Sequence, residues 1–141
     1  MTDETETMAA VLRDVRLEPE GAGDERIEQV EEQMDCKLPR DVKEFLREHD
    51  GGEGTVGARK RPLELWSIDR IRAECDAQEI TRAVPGLVLF GSDGGSEGYG
   101  WLPRLERGKY GRISLLAAGA HEFESLGESF EELLRAVAAD R

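Results

Sequence analysis

Met8, Val11, Leu12 and Val15 recur at i, i+3, i+4 and i+7, the spacing that lines one face of a helix, so a short amphipathic helix is expected from about Thr7 to Val15. Glu18-Pro19-Glu20-Gly21-Ala22-Gly23 breaks that pattern and reads as a linker. Asp24 is placed to cap a second helix with the stripe Ile27, Val30 and Met34, and Glu28, Glu31 and Glu32 fall on its outer flanks. Leu38-Pro39 opens a third helix, since proline at a first helical position sacrifices no amide hydrogen bond. Val42, Phe45, Leu46 and His49 share its inner face. Asp50-Gly51-Gly52 ends it, because glycine adopts the left-handed backbone at a helix terminus without a steric penalty.

The period then changes. Leu63 and Leu65 alternate with polar neighbours and lead into Trp66, which predicts a short strand. Ser67 follows as the N-cap of a helix that turns Ile68, Ile71 and Cys75 inward. Leu87-Val88-Leu89-Phe90 is a continuous apolar run between Pro85-Gly86 and Gly91, the pattern of a strand buried on both faces. Tyr99 to Leu102 is its expected hairpin partner across the turn-rich segment 91–98. Ile113 and Leu115 alternate in a further strand beyond Arg107-Gly108-Lys109. Ser129-x-x-Glu132 is a capping box, and Phe130, Leu133, Leu134 and Val137 form the stripe of a last helix. Helices first, strands in the middle and a helix last, with no βαβ alternation, predict an α+β fold in a single domain. An acidic tail or short helix over residues 1–22 is expected to precede a domain over 23–141.

Composition sharpens this picture mainly through charge. The 141 residues hold 19 Lys and Arg against 31 Asp and Glu, a net charge of −12. Residues 1–35 alone contribute 12 acids and 3 bases. Such a balance opposes direct contact with nucleic acid, whose phosphates require Lys and Arg, and favours a basic protein partner. No stretch approaches the ~20 apolar residues of a membrane span, so no membrane association is expected. The acids Asp3, Glu4, Glu6, Asp14, Glu18 and Glu20 argue against a secretory or mitochondrial leader, and a cytoplasmic protein is expected. Cys36 and Cys75 are expected as reduced thiols.

Candidate chemistry is sparse. Gly91-Ser92-Asp93-Gly94-Gly95-Ser96-Glu97-Gly98 follows a buried strand but lacks the Gly-Lys-Ser/Thr ending of a phosphate loop, and Asp93 and Glu97 would repel an anion. Cys36, His49, Cys75 and His121 share no ligand spacing, so neither a metal nor another cofactor is expected. His49 suits the C-terminal end of its helix and His121 a loop, leaving no nucleophile beside a base. Catalysis is therefore the less expected role.

The order of these pieces resembles the SUKH superfamily, which includes the yeast cell-wall-assembly regulator and many bacterial immunity proteins. The likeness rests on Ile27-Glu28-Gln29-Val30-Glu31, on Leu38-Pro39-Arg40-Asp41-Val42-Lys43-Glu44-Phe45-Leu46 and on His49-Asp50-Gly51-Gly52. It continues through Leu63-Glu64-Leu65-Trp66-Ser67-Ile68, Phe90-Gly91-Ser92-Asp93-Gly94-Gly95 and Ser129-Phe130-Glu131-Glu132-Leu133-Leu134. Asp50 stands where the family typically has asparagine, and the stretch 96–101 is richer in glycine than expected. The resemblance implies a mainly antiparallel sheet, with the N-terminal helix pair and the C-terminal helix packed around it. It also implies a non-catalytic protein-binding module. In its bacterial branch that is an immunity protein neutralising a toxin, often a nuclease, by stoichiometric binding. In the other branch it is a cytoplasmic regulator or scaffold. A basic toxin domain would suit the acidic charge, with Glu53, Asp93, Glu97, Tyr99 and Trp101 as the expected contacts: acids for a charged rim and aromatics for anchors. The oligomeric state is left open.

Overall fold

The computed structural model describes residues 8–77, 84–116 and 123–139. Within them the chain runs α1 (Met8–Val11), β1 (Val15–Leu17), α2 (Asp24–Met34), α3 (Arg40–Glu48), β2 (Gly52–Val56), β3 (Arg61–Leu65) and α4 (Ile68–Ala77). It continues through β4 (Val88–Ser92), β5 (Glu97–Trp101), β6 (Tyr110–Ser114), β7 (Glu124–Gly127) and α5 (Phe130–Ala138). The seven strands form one antiparallel sheet in the order of the chain, β1 to β7. With the helices this is the single α+β domain that the pattern predicts.

The apolar stripes go where their spacing directs them. Ile27 and Val30 of α2 are buried, as are Val42, Phe45 and Leu46 of α3, and Ile68 and Ile71 of α4. Ser67 Oγ accepts the Arg70 N–H at 3.1 Å at the start of α4. All five residues of β4 are buried, and β5 pairs with it as the expected hairpin. At α5 the Ser129 Oγ accepts the Glu132 N–H at 3.1 Å, while the Glu132 carboxylate reaches back to the Glu128 N–H at 2.8 Å. That is the capping box, with its return bond moved one residue outward.

Four aromatic rings join the layers. Phe130 of α5 meets Phe45 of α3 at 5.6 Å between centroids and Phe90 of β4 at 5.4 Å, both edge-on, and Phe90 lies 6.3 Å from Tyr110 of β6. Asp41 binds the same junction. Its carboxylate accepts the Tyr110 hydroxyl and, at 2.8 Å, the Phe130 N–H at the first residue of α5.

Besides Asp24, which is the first residue of α2 behind Gly23 at the cap position, three expectations about the fold change. The helix expected over Thr7–Val15 is only Met8–Val11 among the described residues, and Thr7 lies outside them. The Val15 N–H closes a turn onto the Leu12 carbonyl at 2.9 Å, after which β-branched Val15 enters β1 and pairs with Gly54. Gly54 is what lets β1 come so near, since a Cβ there would stand 2.3 Å from the Asp14 carbonyl oxygen. The expected linker 18–23 is bonded to the domain. The Glu18 N–H reaches Gly51 O, the Ala22 N–H reaches Leu46 O, and the Asp50 N–H reaches Glu20 O, at 2.7–3.0 Å.

The third change is Glu31, expected on an outer flank but only 3% exposed. After Met34 the chain turns back through Asp35, at φ 56°, so that the following segment covers the carboxylate. Glu31 then accepts the Leu38 N–H at 2.8 Å and faces the Lys43 ammonium at 3.5 Å. A buried carboxylate is tolerable only with such partners, and here it fastens the turn between α2 and α3.

Candidate functional site

The register of the sheet builds the site. Arg16 on β1 stands opposite Glu53 on β2, Glu53 opposite Glu64 on β3, and Glu64 opposite Ser92 on β4. Residues directly opposed across antiparallel strands project from the same face, so these four form one polar row across the sheet. Leu63 and Leu65, which flank Glu64, turn the other way into the core.

Glu64 is the centre of the row. Its Oε1 meets the Arg70 guanidinium at 3.1 Å and the Ser92 hydroxyl at 3.5 Å, and Ser92 Oγ in turn accepts the Gly94 N–H at 3.0 Å. Arg70 lies over the Trp66 ring at 5.2 Å, an i, i+4 pair that bridges the end of β3 and the first turns of α4. The Asp50 carboxylate accepts the Ile68 N–H at 2.8 Å and so anchors α4 to the exit of α3. Gly51 makes that junction possible. Its φ is +99°, and a Cβ would stand 2.8 Å from both the Leu65 carbonyl oxygen and the Ser67 nitrogen. Arg16, Asp50, Glu53, Glu64, Trp66 and Arg70 all line an open groove of about 290 Å³.

The five expected contact residues are divided by this geometry. Glu53 is exposed and sits in the middle of the row. Asp93 and Glu97 lie at the β4–β5 hairpin, next to Ser92 and Gly98, which pair with each other. Asp93 Oδ1 accepts the N–H groups of Gly95 and Glu97 at 2.8 and 3.2 Å, so that carboxylate shapes the turn. Trp101 is half-buried at the end of β5, opposite Val88 and Tyr110. Tyr99 is 1% exposed and belongs to the core, so it supports the hairpin from within and offers no surface to a partner. Burial pushes its phenol pKa above the ordinary value, with Asp93 adding to the shift and Arg61 and Arg112 opposing it.

Glu64, Arg70 and Ser92 were missed by sequence reasoning, although two signals for them were present. Glu64 is the outward residue of an alternating strand, and Arg70 follows Trp66 at the helical interval. Their convergence depends on the register of β3 against β4, which no local pattern encodes.

The row presents charge together with hydrogen-bond donors and acceptors. Among the described residues no three His, Cys, Asp or Glu side chains gather in a way that could hold a metal ion, and no helix is long and apolar enough to cross a membrane. His121 lies outside the described residues. His49 Nδ1 is 2.7 Å from the Glu18 carbonyl oxygen, a contact that holds the approach to α2 against the end of α3.

The model of the SMI1 / KNR4 family (SUKH-1) matches residues 21–136, well over half of the chain. The chain belongs to the SMI1/KNR4 family. No curated protein matches it as a relative. The SMI1/KNR4 match spans all the elements from α2 to β7 and most of α5, including every residue of the row except Arg16. Membership points to a protein-binding role of the immunity or regulatory kind.

The two thiols of this SMI1/KNR4 domain line one groove beside Met34, Arg72 and Leu87. Cys75 Sγ is 3.5 Å from the Leu89 carbonyl oxygen, and burial pushes its pKa up to about 11 from 9.0. The thiolate is the reactive form, so at pH 8 Cys75 is expected to alkylate ~100-fold more slowly than an unperturbed thiol. Timed iodoacetamide labelling with peptide mass analysis checks this, and denaturant should abolish the protection. Rapid labelling of the folded chain at Cys75 would contradict the burial described here.

Proposed function

We propose that this protein is a non-catalytic immunity protein that neutralises a basic, nuclease-type bacterial toxin domain by stoichiometric binding in the cytoplasm. The observation that carries the reading is the alignment of Glu53 with Glu64 on one face of the sheet, with Asp93 and Glu97 at the adjoining hairpin. A nuclease presents a cationic cleft to its substrate, and the carboxylates of Glu53, Glu64, Asp93 and Glu97, held at this end of the sheet among Arg16 and Arg70, offer acids to such a cleft. The net charge of −12 extends the attraction beyond the contact itself. Family membership supports the protein-binding part of this reading. Inhibition by occlusion needs no cofactor and no turnover.

The test begins with salt-stepped affinity capture from cells that encode both this chain and a neighbouring toxin gene, followed by titration of the purified partner's activity. Inhibition complete at one equivalent, with association slowing as salt rises, is the expected result. Glu53→Lys combined with Glu97→Lys should weaken binding on the order of 100-fold, chiefly when salt is low. A cellular enzyme or scaffold retained through high salt, with no toxin inhibited, would replace this reading with that of a regulator.

A further inference from the structure

A second groove lies at the opposite face of the same sheet edge. Its long wall is a stripe of α3, Asp41, Glu44, Phe45 and Glu48, at i, i+3, i+4 and i+7, followed by His49 at the helix exit. Met8 and Leu12 from the α1 region and Leu17 from β1 face it, and Ser129, Phe130 and Glu131 close the end at the start of α5. Leu17 and Arg16 alternate along β1, so this groove and the acidic row fall on opposite faces. The groove measures about 420 Å³, with an apolar floor and, among the described residues, four carboxylates around it and no lysine or arginine in its lining.

We infer that this groove is a docking site for a cationic amphipathic segment of a partner protein. One or two apolar side chains of that segment seat against Met8, Ala9 and Leu17, above the buried Leu12, Phe45 and Phe130, and its lysines or arginines lie against Glu44, Glu48 and Glu131. The inference rests on the protein-binding reading above and adds a second contact surface to it.

Charge complementarity identifies the occupant. Asp41 is engaged by Tyr110 and the Phe130 N–H, but the other acids remain available to a partner. Among the described residues Glu44 and Glu131 pair with exposed or half-exposed arginines one helical turn away, Arg40 at 3.3 Å and Arg135 at 2.7 Å. Such pairs are weak, and an incoming cation can replace them at small cost. Glu48 is exposed and has no ion pair among the described residues. The sequence of residues 1–7, with Asp3, Glu4 and Glu6 and no lysine or arginine, lacks the chemistry of such an occupant. An anionic lipid surface is repelled by the carboxylates of the rim. A helix laid along the α3 stripe, with anchors at helical spacing, satisfies both the floor and the rim.

The probe is a short synthetic amphipathic peptide with leucine on one face and lysine on the other, titrated into the isotope-labelled full chain and followed by NMR shift changes. A second peptide with glutamate in place of every lysine is the control. The expected result is that shifts concentrate at Leu12, Leu17, Phe45, Glu48 and Phe130, and that the glutamate peptide does not bind. Glu44→Gln with Glu48→Gln should weaken binding about tenfold, while Glu53→Gln, on the other face, changes it less than about twofold. Shifts confined to the acidic row, equal binding of the glutamate peptide, or indifference to the Glu44/Glu48 substitution would each overturn the inference. Peptide binding at the groove by a chain that inhibits no toxin domain would sink the immunity reading and leave the groove standing. Toxin inhibition without peptide binding at the groove would do the reverse.

Discussion

Replacing Phe130 with alanine is expected to destabilise the domain by about 3–5 kcal/mol, the range for truncating a buried phenylalanine. Phe130 is 1% exposed and has edge-on contacts with two other rings, Phe45 on α3 and Phe90 on β4. Its removal therefore empties the place where a helix from each end of the chain meets the centre of the sheet. Part of the loss is apolar transfer, and the rest is the cavity together with the ring-to-ring contacts. For a domain of this size the midpoint of thermal unfolding should fall on the order of 10 °C. Urea unfolding of Phe130→Ala and Phe130→Leu measures it, the leucine variant keeping most of the volume and most of the stability. A loss below about 1 kcal/mol for alanine would show that the ring cluster is not the junction described.

The second large effect is expected at Asp41. One carboxylate serves two buried donors from distant parts of the chain, the Tyr110 hydroxyl and the Phe130 N–H, and alanine leaves both without it. Hydrogen bonds to a charged group contribute about 1.5–3 kcal/mol each, so Asp41→Ala should cost about 3 kcal/mol or more. A double-mutant cycle with Tyr110→Phe isolates the hydroxyl's share, and additivity within about 0.3 kcal/mol would argue against the bond.

The same pair sets an alkaline limit. Burial first, then the hydrogen bond to Asp41 and its charge, hold the Tyr110 phenol above its ordinary value of 10.0. The folded state thus keeps a proton that the unfolded chain releases. The stabilisation is whole below pH 10 and declines as pH rises beyond it. Tyr110→Phe should make that decline shallower without removing it, because Tyr99 is shifted the same way.

Much of this architecture was readable because its signals are local. Ile27 with Val30, Phe45 with Leu46, the run Leu87–Phe90 and the box Ser129-x-x-Glu132 each state their own conformation within a few residues. Strands β1, β2 and β7 do not. Gly52-Glu53-Gly54-Thr55-Val56 has one apolar side chain that becomes buried, and Glu124-Ser125-Leu126-Gly127 has none. Such strands exist because a neighbour supplies their hydrogen bonds, and intrinsic strand preference is weak against that context. Glu31 shows the same limit. Its helical phase points it outward, and only the path of residues 35–38 buries it. At the candidate site the single acids were visible, but Glu53 stands beside Glu64 through pairing across a β-turn, and Glu64 beside Ser92 through pairing across α4. Tyr99 was expected at the surface as an aromatic anchor beside Asp93 and Glu97. Its neighbours in β4 and β6 enclose it instead.

The chain-order arrangement of the strands has a kinetic consequence. From β2 onward each strand pairs with the next along the chain, so those ladders close over modest loops and carry little closure entropy. The bond from Asp41 to the Phe130 N–H spans 89 residues, by contrast, and the contact of α1 with α5 spans more still. The meander can therefore assemble step by step while the two ends of the chain remain apart. The Asp41 carboxylate and the Phe130 ring then act as a late latch that fastens α5 to the N-terminal helices.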